Sequence, residues 1–256
     1  MFKFKNNYSV YYKMCGRFSL SAEAFNQFAE FKDQNLGPQV PSRFNIAPSQ
    51  PVAVIRLKGS DVDQSIIPDE PLPSREGVLM RWGLIPHFAK EIKTDRPLIN
   101  ARSETIADKP SFRGPFRRRK CLVPADGFYE WKRDGASPIP YHICLPDKEP
   151  FTFAAIWEAW TGPSGEDWLE TVSLITKPAT RIMKKIHHRS PVIIAPEDYN
   201  LWLRPLDPPD RKIFNKLSQD MDEKLEIYEV SSFVNSARND GEQCIKPAMR
   251  DQFALF

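Results

Sequence analysis

The sequence predicts an α+β fold, mainly antiparallel β-sheets forming a barrel-like core with a few peripheral helices. Three observations predict it. Short β-branched or aromatic runs recur between Pro, Gly and Asp from Cys121 onward. The 24 prolines are spread along the chain and cut it into short elements. At 256 residues, with 41% hydrophobic and 27% charged residues, the chain can bury one sizeable core.

The elements follow in order. Ser21 can cap a helix running to about Lys32, with Phe25, Phe28 and Ala29 on one face, and Pro38 and Pro41 end it. Residues 43–48 read as a loop. Strands are expected at Val52–Leu57 and Val78–Leu84, separated by a surface loop, Gly59–Gly77, rich in Asp, Pro and Ser. Leu98–Thr105 reads as an extended segment leading into a turn. The later strands are Cys121–Val123, Phe128–Lys132, Tyr141–Leu145, Phe151–Trp157, Thr171–Thr176, Val192–Ile194 and Leu225–Val230. Helices are expected at Ala179–Ile186, Pro196–Leu203 and Pro209–Met221. No repeat or low-complexity tract interrupts the pattern, and no clean linker divides it.

Composition excludes several function classes. No apolar run approaches the roughly 20 residues of a membrane-spanning helix. Met1–Lys13 lacks the apolar centre of a signal peptide, so a cytoplasmic location is expected. The net charge is +3, which leaves any nucleic-acid contact to local clusters, and the basic run Arg117–Lys120 reads as a solvated face. The four cysteines, at 15, 121, 144 and 244, show no paired spacing and are expected to be reduced thiols. His142 with Cys144, and His187 with His188, offer at most fragments of a metal site. No metal or other cofactor is expected.

Four stretches hold chemistry-bearing residues: Met14-Cys15-Gly16-Arg17, Asn100-Ala101-Arg102-Ser103-Glu104, Ala125-Asp126-Gly127-Phe128-Tyr129-Glu130-Trp131, and Ile186-His187-His188-Arg189-Ser190-Pro191. None is diagnostic by spacing alone. On residue type alone, Cys15 is as well read as a small buried hydrophobe, and Glu130 as an outward carboxylate between buried aromatics. Together with Arg81-Trp82-Gly83-Leu84-Ile85-Pro86, the four closely resemble the SOS-response-associated peptidase family, whose members shield abasic sites in DNA.

The resemblance runs from Met14 to about Pro247. It implies that Met14 is the initiator, that residues 1–13 are an extension outside the mature protein, and that 14–256 form one domain. Cys15, once exposed as the first residue, would carry an α-amine and a thiol on adjacent carbons and could close a thiazolidine on the aldehyde of a ring-opened abasic site. By resemblance Glu130 and His187 are acid/base groups and Asn100 orients the substrate. Arg17, Arg102 and Arg189 would hold flanking phosphates, Asn45 and Pro48 would line the cleft, and Phe88 would stack on a base. The implied partner is single-stranded DNA containing abasic sites, bound by a monomer.

Three other readings remain open at this stage. A thiol peptidase would use Cys15 as nucleophile and His187 as base, acting at most on its own leader. An amidotransferase also opens on Met-Cys-Gly, but Arg17-Phe18 and the later motifs fit it poorly. A non-catalytic nucleic-acid-binding module would use the basic and aromatic residues only.

Overall fold

The computed structural model describes residues 16–30, 41–59, 72–92, 97–133, 135, 137–217 and 220–248. Cys15 and the extension 1–13 lie outside them. The described chain forms thirteen strands in two sheets with three short α-helices, the α+β organisation expected.

The larger sheet contains β3 (Pro51–Leu57), β4 (Arg75–Trp82), β5 (Asn100–Arg102), β6 (Lys120–Ala125), β9 (Phe151–Trp160), β10 (Leu169–Pro178), β11 (Arg189–Pro191) and β12 (Ile193–Ile194). Its pairings run in a ring: β3 to β4, β4 to β10, β10 to β9, β9 to β6, and β6 back to β3 through Ile55 and Leu122. The ring is antiparallel except where β10 meets β4 and β5, which run parallel to it. A ring removes the open edges of a flat sheet; register and alternation put Val54, Val123, Ala155, Trp157, Val172 and Leu174 on its inner face and Ile55, Leu122 and Ala154 on its outer face, all fully buried.

The smaller sheet is antiparallel, in the order β13 (Glu226–Glu229), β8 (Ile139–Cys144), β7 (Gly127–Lys132), β1 (Arg17–Leu20), β2 (Arg43–Ile46). Its inner face packs on the ring through aromatic edges. The Phe18 ring lies 5.2 Å from Trp82 and 5.9 Å from Phe153, and Phe128 lies 5.9 Å from Phe153. The outer face is covered too: Tyr129, Trp131, Val230, Val234 and Cys244 form a second buried cluster there.

Several expected elements change. β1 was not expected, and residues 43–46 form β2 where a loop was read. β4 begins at Arg75, inside the expected surface loop. The first helix, α1 (Ala22–Phe25), has the expected Ser21 cap, with Ser21 Oγ accepting from Ala24 N at 3.2 Å, but Asn26 ends it after one turn. Residues 31–40 lie outside the described set. The helix expected at Ala179–Ile186 is only a 3₁₀ turn, Met183–Lys185, and that expected at Pro209–Met221 resolves into two 3₁₀ turns. The stretch Pro196–Leu203 is a 3₁₀ turn followed by α3 (Tyr199–Leu203). α2 (Pro110–Arg118), opened by a proline in its first turn, was missed because Pro115 and Gly114 sit inside it.

Part of the basic run is not solvated. Lys120 opens β6 and is 2% exposed, with its Nζ over the rings of Trp202 (5.4 Å) and Phe116 (5.8 Å) and no hydrogen-bond partner. Burial lowers its pKa from 10.5 to about 7. The unfolded chain therefore binds a proton that the folded chain releases between pH 7 and 10.5, so the cost to stability is full below pH 7 and vanishes above 10.5. Lys120→Met is expected to stabilise the fold by roughly 1–4 kcal/mol at pH 6. Denaturant melts of both proteins at pH 6 and pH 10 should show the difference shrinking as pH rises.

Candidate active site and nucleic-acid interface

β1 and β7 place the first group. Their register sets Arg17 opposite Tyr129 and Phe18 opposite Phe128, so the next step brings Gly16 to the level of Glu130. Strand alternation turns Phe128 and Glu130 inward, while Tyr129 and Trp131 face out. Glu130 is 3% exposed and opposite Tyr141 on β8, which overturns the reading of an outward carboxylate. Aromatics cover both faces here, so period-two alternation does not separate wet from dry.

Arg17 lies on the outer face beside Trp131, its guanidinium 5.9 Å from the ring centre. It donates to Asn45 Oδ1 at 2.8 Å and to Val234 O at 3.1 Å. Asn45 is fully buried, and its Nδ2 lies within hydrogen-bond distance of the carbonyls of Val234 (3.1 Å), Ser236 (2.9 Å) and Asn239 (2.7 Å). Asn45, expected to line a DNA cleft, is placed here to hold Arg17 and the 234–239 turn.

The second group gathers at the far end of β10. Asn100 pairs with Leu174 and Arg102 with Thr176 on one edge, while Pro178 pairs with Arg189 on the other. Ala101, in register with Ile175, is fully buried; Asn100 is half-buried and Arg102 exposed. Arg189 is buried. It grips both carboxylate oxygens of Glu104 and donates to Thr176 O at 2.8 Å. This pairing holds the Glu104 carboxyl at about 2. As it stands, Arg189 braces β5 against β11; its expected phosphate contact would need the Glu104 pair to open. Glu104, within the Asn100–Glu104 stretch, had been assigned no part.

His187 precedes this brace. The Arg189 backbone N–H donates to His187 Nδ1 at 3.1 Å, which leaves the proton on Nε2. Burial, the His188 ring 4.2 Å away, and the charges of Arg133 and Arg189 lower its pKa, so it is neutral at pH 7. Arg133 follows β7 directly, so the Glu130 strand ends within electrostatic reach of His187.

A third group borders an apolar cleft of about 420 Å³ between residues 81–91 and 97–98. Leu98, in its wall, is two residues from Asn100. Phe88, also in the wall, is 56% exposed. Its loop is fixed by Trp160 Nε1 donating to Ala89 O at 2.7 Å and by His87 Nδ1, 3.2 Å from Glu158. Arg81, another lining residue, donates to Ser49 Oγ at 2.9 Å, which ties the half-buried Pro48 turn to the same neighbourhood. Arg81 was quoted within a motif but given no role; its partial burial, which lowers its pKa, was not visible in the sequence. Among the described residues, no three His, Cys, Asp or Glu side chains are placed to hold a metal ion, and no helix is long and apolar enough to cross a membrane.

Residues 14–237 match the family described as SOS response associated peptidase (SRAP). The chain belongs to the SRAP family. It is 41% identical over 238 residues to the abasic site processing protein YoqW of Bacillus subtilis, covering 91% of this chain and 99% of that one. It is 32% identical over 270 residues to the abasic site processing protein HMCES of Gallus gallus, covering 91% of this chain and 78% of that one. Among solved structures, a similar fold is found in a protein from Bacteroides thetaiotaomicron, with a TM-score of 0.72 at 25% identity, covering 92% of this chain and all of the other.

The placement of Asn45 separates fold from surface in this SRAP chain. Asn45→Ala strips the cap from several buried carbonyls and from Arg17, and is expected to cost about 3 kcal/mol. Arg102→Ala, at an exposed position, should stay within about 0.5 kcal/mol. Urea unfolding of the two variants checks this, with the midpoint falling and the slope unchanged for Asn45→Ala.

Proposed function

We propose that this SRAP protein captures ring-opened abasic sites in single-stranded DNA covalently through Cys15. The observation that carries the reading is the β1–β7 register, which brings Gly16, the residue after Cys15 in sequence, level with a buried carboxylate, Glu130. The SRAP membership and the relatives named as abasic site processing proteins support the substrate.

The chemistry balances with no cofactor. With residues 1–14 removed, the Cys15 α-amine adds to the sugar aldehyde and one water leaves, giving an imine. The thiol then adds to the same carbon, its proton passes to nitrogen, and a five-membered ring closes. Closure is intramolecular, which favours it strongly over capture by a separate thiol. It also removes the imine, the species from which strand breakage proceeds. Glu130 would relay protons during addition and dehydration. His187, neutral with its hydrogen on Nε2, would hold the sugar ring oxygen by a hydrogen bond that strengthens as charge develops on it during ring opening. Asn100 would orient the sugar, Arg17 and Arg102 would offset phosphate charge, and Phe88 would stack beside the lesion.

The same tautomer weighs against the thiol-peptidase reading. With Nδ1 receiving the Arg189 N–H and Nε2 already carrying the hydrogen, His187 is set to donate a hydrogen bond through Nε2, not to take a proton from a thiol.

Protein beginning at Cys15 should form a denaturation-resistant adduct with an oligonucleotide carrying one abasic site. Cys15→Ala, or protein retaining Met1–Lys13, should form none; an adduct with the leader intact overturns the mechanism. The rate should rise between pH 6 and 8 as an α-amine of pKa about 7.7–8.0 loses its proton. His187→Ala should slow formation on the order of 10²-fold and leave that rise in place, as rapid-quench gels at each pH would show. Phe88→Ala should weaken binding of the same strand, measured before crosslinking by anisotropy, by about 1–3 kcal/mol.

A further inference from the structure

Glu104 holds a place among the site residues that the capture chemistry does not use. It lies in the turn after β5, two residues beyond Arg102, which pairs with Thr176 on β10. Its carboxylate meets both terminal nitrogens of Arg189, one of them at 2.9 Å, and accepts from Ser103 Oγ at 3.1 Å. Arg211 donates to the Glu104 backbone carbonyl and lies 3.4 Å from Asp108. Two guanidinium groups thus contact this one residue, and the exposed Arg102 is close by in sequence.

Burial shows which way the pair faces. The Arg189 side chain is 9% exposed and that of Glu104 is 44% exposed. Arg189 Nη2 also donates to the carbonyl (2.8 Å) and the hydroxyl (3.2 Å) of Thr176, which is fully buried. The guanidinium is therefore anchored on the protein side by Thr176, and its acidic partner stands on the solvent side. A phosphate reaching Arg189 has to arrive where the carboxylate now sits. Carboxylate and phosphate accept the same two parallel N–H groups, so one can replace the other without moving the arginine. Because Glu104 lies beyond the last residue of β5, its side chain can swing out while the β5–β10 pairing stays intact.

We propose that Glu104 is a built-in competitor for a backbone phosphate: it fills the phosphate-binding fork of Arg189 and is displaced when the strand enters. The inference rests on the capture reading above and on the phosphate contact expected of Arg189. It gives a buried, already paired arginine a route to that contact. While the pair is closed it contributes no net charge, and a passing strand gains little from it. Once Glu104 has swung out, Arg189 is a cation held ready on Thr176, with Arg211 beside it to attract the incoming phosphate. What the strand gains at this point is the difference between two ligands of one arginine, and Glu104 sets that difference.

The test uses protein beginning at Cys15 and a single strand carrying a tetrahydrofuran abasic analogue, which has no aldehyde and cannot crosslink. Binding is read by fluorescence anisotropy across a salt series, at temperatures where melting curves show each variant folded. Glu104→Gln removes the competing charge; it should tighten binding severalfold and steepen the slope of log Kd against log salt by roughly 0.7. Glu104→Asp keeps the net charge but draws the carboxylate back by one methylene, and it should also tighten binding. Should Glu104→Gln fail to fold, the Asp variant decides alone. Tightening by Gln without tightening by Asp would be the general effect of one negative charge fewer, and would overturn the competitor role. Weaker or unchanged binding by both variants would make Glu104 a plain brace and overturn it as well. The capture reading fails by a different sign: wild-type protein beginning at Cys15 would form no adduct with a true abasic strand, whatever the Glu104 variants do.

Discussion

The arrangement depends on one pairing, β1 held between β2 and β7. Four residues are too few to hold a place by their own burial, and Arg17–Leu20 does so because both edges are hydrogen-bonded and Phe18 is wedged against Trp82 and Phe153. The segment entering β1 is thereby brought to a fixed level on β7. The nucleophile we propose, on a free terminus, would ordinarily be among the most mobile groups in a protein. Seating its next neighbours in a central strand converts that liability into positioning.

Around that pairing, buried charge is compensated group by group. Arg56 bridges Glu76 (2.8 Å) and Glu170 (2.7 Å) and lies 4.6 Å from the Trp157 ring centre. Glu158 answers to Arg119 at 2.8 Å and to His87, and Asp222 to Lys177 at 2.6 Å. Arg189 with Glu104 belongs to the same scheme. These pairs tie strand ends and loops together, and breaking one partner of a buried pair costs far more than the pair contributes. Lys120 and His142 depart from this pattern: one is a cation without a hydrogen-bond acceptor, and the other has a buried Nδ1 without a partner.

Much of the fold was legible because its strands carry strong local signals. β3, β7, β8, β9 and β10 fall where aromatic and β-branched runs lie between turn residues. The helices were less legible. Ser21 marked the start of α1, but Asn26 stops it after one turn, and a helix that short owes its existence to packing of Phe25 and not to propensity. β5 and β11 are three residues each and exist only because β10 is long enough to pair with both. The motif stretches marked where site residues cluster but not which way they point. Asn45 and Arg189 read as surface groups because their types are usually exposed, whereas the 234–239 turn and Glu104 enclose them, and no local pattern announces partners so far away in sequence.

Gly127 shows how a motif can mislead about its own purpose. It stands three residues before Glu130, inside a stretch that reads as catalytic, and invites explanation by the reaction. Its missing side chain instead makes room for the His142 imidazole on the opposite side of the sheet, with which any Cβ would collide. Alanine there would not touch a substrate. It would evict a ring that Tyr129 and Tyr228, on two neighbouring strands, lean against, and the disturbance would reach the carboxylate side through the backbone the two faces share. A strand one residue thick cannot keep its two surfaces independent.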